Sequence, residues 1–90
     1  MPRFFLNIRN GLGFIPDEEG QELPSADHAR DEAVKGARSL LSSEVSEGRL
    51  DLRGRIEVTD EQGKITEVVQ FRDVVHILTG EFPSLNEKKG

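Results

Sequence analysis

The chain predicts an α+β domain in which an antiparallel sheet, made of two β-hairpins, carries one amphipathic helix on one face, in the order ββαββ. Three observations lead to that expectation. Ala26, Ala29, Ala33, Ala37, Leu40, Leu41 and Val45 recur at gaps of three and four between Ser25 and Gly48, the spacing that lines one side of a helix. Arg3 to Arg9 and Arg55 to Thr59 instead show the period of two expected of strands with one covered face. Each of these runs ends in a turn sequence, Asn10-Gly11 after the first and Asp60-Glu61-Gln62-Gly63 after the second.

In the first strand Phe4, Leu6 and Ile8 fall on the covered side, and Phe5, Asn7 and Arg9 on the other. Asn10-Gly11 tolerates the positive φ angles of a type I′ turn, so the chain is expected to return over Leu12 to Pro16. That register places Leu6 opposite Ile15 and Ile8 opposite Gly13. Asp17 to Gly20 turns the chain, Gln21 to Leu23 runs extended to Pro24, and Ser25 is placed to cap the helix with Asp27 near its positive end. His28 stands where a capping box needs Glu or Gln. The small residues of the stripe, with Gly36, allow the backbone to lie close to what it covers. On the wet side Asp31 and Lys35 are spaced as a favourable ion pair. Gly48 can supply a left-handed helix end, whereas Glu44 and Glu47 oppose the dipole there and predict fraying.

Leu50 and Leu52 are expected to tuck under the connection that follows. Ile56 and Val58 then take the covered side of the next strand, and Lys64 to Phe71 is the returning strand. A three-residue loop sets Val68 opposite Ile56 and is the preferred register; a two-residue loop sets Val69 there, and a bulge would allow both to be buried. Phe71 to Leu78 fits either a short helix or a last edge strand. Residues 1–78 therefore read as one domain, and residues 79–90, polar and rich in turn formers, as a mobile tail.

With 90 residues and no cysteine, stability has to come from burial rather than from disulfides or thiolate metal sites. Met1 to Asn7 holds only a short apolar run, unlike a signal peptide or a membrane span, so the expectation is a soluble cytoplasmic protein. The net charge of -5 is uneven. Asp17, Glu18, Glu19, Glu22, Asp27, Asp31 and Glu32 against Arg30 leave that stretch at -6 and the remainder at +1. Such a balance argues against binding nucleic acid mainly through phosphate neutralisation.

The order of residues also resembles a family. Met1-Pro2-Arg3-Phe4-Phe5, Asn10-Gly11, Pro16-Asp17-Glu18-Glu19-Gly20-Gln21-Glu22-Leu23-Pro24, the helix with Ala29-Arg30 and Glu32-Ala33, and Gly54-Arg55-Ile56-Glu57-Val58 before Asp60-Glu61-Gln62-Gly63 are together similar to the bacterial domain of unknown function 6894. The resemblance runs from Met1 to about Ile77 and implies a small cytoplasmic α+β protein without an assigned activity. It transfers no catalytic or binding residues. Asn10, where an aspartate is common, and a longer polar tail depart from the family's pattern. A looser likeness, by analogy of order alone, is to the partial RNase-H-like fold of HicB-type antitoxins, where a Pro-Asp-x-x-Gly segment also precedes an alanine-rich helix.

Candidate chemistry is sparse. The acidic run Asp17, Glu18, Glu19 and Glu22 lacks the alternating donors and mid-loop glycine of a calcium loop and reads as a solvated turn. Gly11-Leu12-Gly13 precedes Pro16 and no helix, so it is a hairpin turn and not a phosphate loop. His28 and His76 have no partner at ligand spacing, and Ser39, Ser42, Ser43 and Ser46 fall on the wet helix face without a paired base. No catalytic, cofactor-binding or metal-binding residues are therefore assigned, and no cofactor is expected.

The sheet face turned away from the helix is the most informative surface. Arg3, Phe5, Asn7, Arg9, Arg55 and Glu57 project from it together. The expected function is a small non-enzymatic module that binds a protein partner, or a second copy of itself, through this face or the sheet edge. The alternative is weak single-stranded nucleic-acid binding by Arg3, Phe5, Arg9 and Arg55, with the ring stacking on bases and the guanidiniums meeting phosphates.

Overall fold

A computed structural model of the chain describes residues 1–83. Strands β1 (Arg3–Asn10), β2 (Gly13–Ile15) and β3 (Gln21–Glu22) precede helix α1 (Ala26–Ser46), and β4 (Arg55–Thr59) and β5 (Ile65–Gln70) follow it. The antiparallel sheet has the order β2-β1-β4-β5, with β3 also paired to β1. This is the expected α+β arrangement of two hairpins and one helix, with one short strand added. Long-range pairing of β1 with β4 joins the hairpins, placing Leu6 opposite Val58 and Ile8 opposite Ile56.

Helix α1 packs on one face as its pattern requires. Ala29, Ala33, Ala37 and Leu41 are buried against Phe4, Ile56, Val58, Val69, Phe71 and Val74. Small side chains on the helix let the larger strand residues fill the space between the layers. Ser25 caps the start by accepting the His28 N–H at 3.3 Å. At the far end Gly48 takes φ +88, with hydrogen bonds from Gly48 N to Val45 O and from Arg49 N to Glu44 O. That pair closes the helix as a Schellman motif.

Several expectations about the helix need correction. Val45 is 57% exposed, so the buried stripe ends at Leu41. Gly36 is not a point of obligatory close approach: an added Cβ would meet Ile56 Cδ1 at 3.7 Å, an ordinary contact. Lys35 pairs with Glu32 at 3.6 Å, not with Asp31. In the connection Leu52 packs against the core but Leu50 stays exposed.

The first hairpin turns one residue later than expected. Asn10 remains in β1, paired with Gly13, and Ile8 faces Ile15, so the earlier pairing of Leu6 with Ile15 and Ile8 with Gly13 is displaced. The cause is local. Asn10 Oδ1 accepts the Leu12 N–H at 2.8 Å, an Asx turn that holds Gly11 and Leu12 as the loop, while the positive φ moves to Gly13.

In the second hairpin Val69 faces Ile56, overturning the preferred Val68 register. At the turn end the preferred register holds, since Thr59 faces Ile65. Beyond it Val58 faces Glu67, so Thr66 is an extra residue in a β-bulge that advances β5 by one. Val69 is consequently buried and Val68 turns to the open face, 44% exposed. Of the two alternatives for Phe71 to Leu78 the structure takes the short helix, a single 3₁₀ turn at Phe71–Asp73, whose Phe71 N–H donates to Gly54 O at 2.9 Å, and no further strand follows β5 among the described residues. Gly54 permits this packing, because a Cβ there would lie 2.6 Å from the Phe71 ring and 2.7 Å from Arg9 O. Residues 79–83 carry no helix or strand, and the rest of the expected tail, 84–90, lies outside the described residues.

Candidate functional site

The open face is built from the residues of β1, β4, β2 and β5 that alternate with the core. Cross-strand pairing sets Arg9 beside Arg55, Asn7 beside Glu57 and Phe5 beside Thr59, with Phe14 next to Arg9 and Val68 next to Glu57. The two buried polar residues among the described ones, Asn7 and Glu57, both lie here, each 8% exposed. Buried polar groups demand partners, and both are supplied.

Glu57 Oε2 accepts the Nε–H of Arg9 and the Nε–H of Arg55, each at 2.9 Å. Burial pushes the Glu57 carboxyl up, but hydrogen bonds from Arg55 and Arg9 and their charges outweigh it and hold the group below its ordinary value. It is thus ionised and fixed between two cations. Arg9 also lies over the Phe14 ring, 4.3 Å from its centre. Asn7 Nδ2 donates to Glu57 O and Thr59 Oγ1 at 3.2 Å each, tying β1 to β4.

Asn7 Oδ1 accepts the Asp17 N–H at 2.9 Å, and this bond anchors the segment between β2 and β3. Ile8 faces Ile15 and Phe4 faces Gln21, so four steps along β1 correspond to six along the returning chain. The surplus forms the Pro16 to Gly20 loop. Asp17 fills the interrupted ladder with its side chain, one oxygen accepting Leu6 N–H at 3.1 Å and the other Glu19 and Gly20 N–H at 3.2 and 3.0 Å. Gly20 is obligatory: φ is +71, and a Cβ would sit 2.8 Å from Phe4 O and from the Phe5 ring. The acidic motif therefore serves as a strand-breaking clip through Asp17, while Glu18 and Glu19 are exposed.

This geometry splits the four residues singled out from the sequence. Arg9 and Arg55 share Glu57. Phe5 is half-buried against Gly20, and Arg3 is held by Glu19 O at 2.8 Å and Glu22 at 3.5 Å, so both belong to the clip at the other end of the strand. Sequence reasoning missed Phe14 and Arg53. The expected register already sets Phe14 on the open face, opposite Asn7, and the observed one moves it along that face to Arg9. Arg53 lies in the connection before β4, where its guanidinium makes a two-pronged contact with Asp51, Nε to Oδ1 and Nη2 to Oδ2, both at 2.9 Å. Hydrogen bonds from the Arg53 side chain and backbone hold Asp51 well below the usual carboxylate range. Arg9, Asn10, Gly11, Arg53 and Arg55 line a concavity of about 430 Å³ beside the β1–β2 turn.

The arrangement offers charge, hydrogen-bond donors and apolar side chains on an open sheet. Among the described residues no group of three or more His, Asp or Glu side chains is placed to hold a metal ion, and no helix is long and apolar enough to cross a membrane.

Fold and face together describe a small α+β module with one sheet face uncovered by its own helix. The chain belongs to the family Domain of unknown function (DUF6894), whose model matches residues 3–72. No curated protein and no solved structure shows a significant match, so the looser likeness to the antitoxin fold has no support from either comparison.

Proposed function

We propose that this protein is a non-enzymatic binding module whose open sheet face takes an acidic segment of a partner protein. The observation that carries the reading is the composition of that face: Phe14 beside Arg9 and Val68 beside Glu57 are 48% and 44% exposed, and Ile65, 50% exposed, continues the same face opposite Thr59. Exposed apolar side chains on the same face as fixed arginines combine area to bury with directional donors, the two ingredients of a protein-binding patch. Charge favours an acidic occupant, because two arginines share one carboxylate. Against the single-stranded nucleic-acid alternative weighs the position of Phe5, whose ring is partly covered by the Pro16 to Gly20 loop and whose neighbour Arg3 is already paired.

The test is retention of a partner from cell extract by the immobilised chain, compared with Val68→Glu on the open face and Lys35→Glu on the wet side of the helix. A prey kept by wild type and Lys35→Glu but lost by Val68→Glu is the expected result. Equal retention by all three, or by none, refutes the reading. Light scattering run alongside separates the case in which the second polypeptide is another copy of this chain, and a shift of Arg9 and Arg55 signals by oligonucleotides at low salt would favour nucleic acid instead.

A further inference from the structure

Arg9 and Arg55 stand directly opposite one another across β1 and β4. Like charges in that position repel unless a counter-charge intervenes. Glu57 provides one negative charge for the two, and it engages both through Nε on a single oxygen. Among the described residues the Nη groups of Arg9 and Arg55 have no hydrogen-bond acceptor. The side chains remain 47% and 41% exposed, whereas that of Glu57 is only 10% exposed.

Both arginines line the concavity at the β1–β2 turn, and Arg53 reaches the same basin with its own charge matched by Asp51. The basin therefore holds surplus positive charge on side chains rooted in paired strands. Held by Nε, a guanidinium still presents its two Nη groups, an edge that grips planar or tetrahedral oxygens in two-pronged fashion.

From this we infer that the basin is an oxyanion subsite for the carboxylate or phosphoryl group of a bound segment, with Arg9 and Arg55 as the clamp and Glu57 as the residue that positions them. The nature of the segment rests on the partner-face reading above, but the subsite can be tested without any partner. Glu57 turns both forks from mobile side chains into fixed ones, which lowers the ordering cost of binding.

The experiment is a low-salt titration of the ¹⁵N-labelled full chain with sodium phosphate and, separately, with tetraglutamate. The arginine Nε–H signals and the Asn10 and Gly11 amides are the readout. Saturating shifts are expected at Arg9 and Arg55, with affinity reduced about tenfold in Arg55→Lys, which keeps the charge and loses the fork. Arg30→Gln, on the helix, is expected to leave the affinity unchanged. Arg9→Lys repeats the comparison should Arg55→Lys unfold. Saturation by phosphate alone assigns a phosphoryl group and by the peptide alone a carboxylate, and either sustains the subsite. Shifts that stay linear with both probes, or an affinity unaltered by Lys at both positions, overturn it. If phosphate saturates the basin while Val68→Glu leaves partner retention untouched, the subsite stands and the partner face falls; the reverse pair of results discards the subsite alone.

Discussion

On the helix-covered face of the sheet, Ile56, Val58 and Val69 meet Ala29, Ala33 and Ala37, and the side chains buried there are apolar. On the open face, alternate residues of the same strands include Asn7 and Glu57, buried nearly as deeply but held by hydrogen bonds and two arginines. The first face is stabilised by area and fit, so its energy is spread over many contacts and any change of volume is felt. The second keeps its polar groups by exact pairing, so removing one partner exposes the desolvation cost of the other. Strands alternating every residue between these regimes explain how β4 can be almost wholly buried without being wholly apolar.

The contrast is sharpest at adjacent residues of β5. Val69→Ala should destabilise the fold by about 2–3 kcal/mol, a loss of buried methyls plus a cavity, while Val68→Ala should stay within about 0.5 kcal/mol. Urea unfolding of the two variants measures both, and equal losses would place the bulge at Thr66 elsewhere. Asp17→Ala follows, with an expected loss of about 1.5–3 kcal/mol because three backbone N–H groups lose a charged acceptor. Amide exchange should then quicken first at Leu6 and Gly20.

A third test concerns acid. Glu57 binds its proton less tightly in the folded chain than at its ordinary value of 4.5. The unfolded chain therefore takes up that proton first, so the triad's contribution is whole above this value and is lost as pH falls below it toward the folded one. Glu57→Gln should flatten the fall in stability below about pH 4.5, as measured by denaturation at stepped pH. An unchanged slope would mean that the ion pairs do not persist in solution. The smallest effect belongs to the covered face: Gly36→Ala should stabilise by about 0.5–1 kcal/mol in thermal melts, since the helix gains propensity and the new methyl meets only Ile56 at contact distance.

Local patterns in the chain account for α1, β1 and β4 and for the side of each that is buried, but not for the buried side of β5, where Val69 and not Val68 faces the helix. The three- and four-residue recurrence of Ala29, Ala33, Ala37 and Leu41, the Ser25 cap and the Gly48 terminus are all visible in short windows, because helices are closed by near neighbours. The arginines of the open face were likewise visible as the alternate positions of Arg3 to Arg9 and Arg55 to Glu57. What was hidden there is their division: Arg3 and Phe5 go to the Asp17 clip, Arg9 and Arg55 to Glu57.

Composition and periodicity alone establish an α+β chain with one amphipathic helix and two hairpins, since hydrophobic spacing and turn chemistry are properties of neighbouring residues. Pairing across the sheet settles the rest. The choice of Val69 over Val68 turns on one bulged residue, the turn at Asn10 on one side-chain hydrogen bond, and the union of Arg9, Arg55 and Glu57 on two strands 46 positions apart at their facing arginines. Such contacts depend on where distant segments are brought together, and a register that differs by one residue exchanges the two faces of a strand.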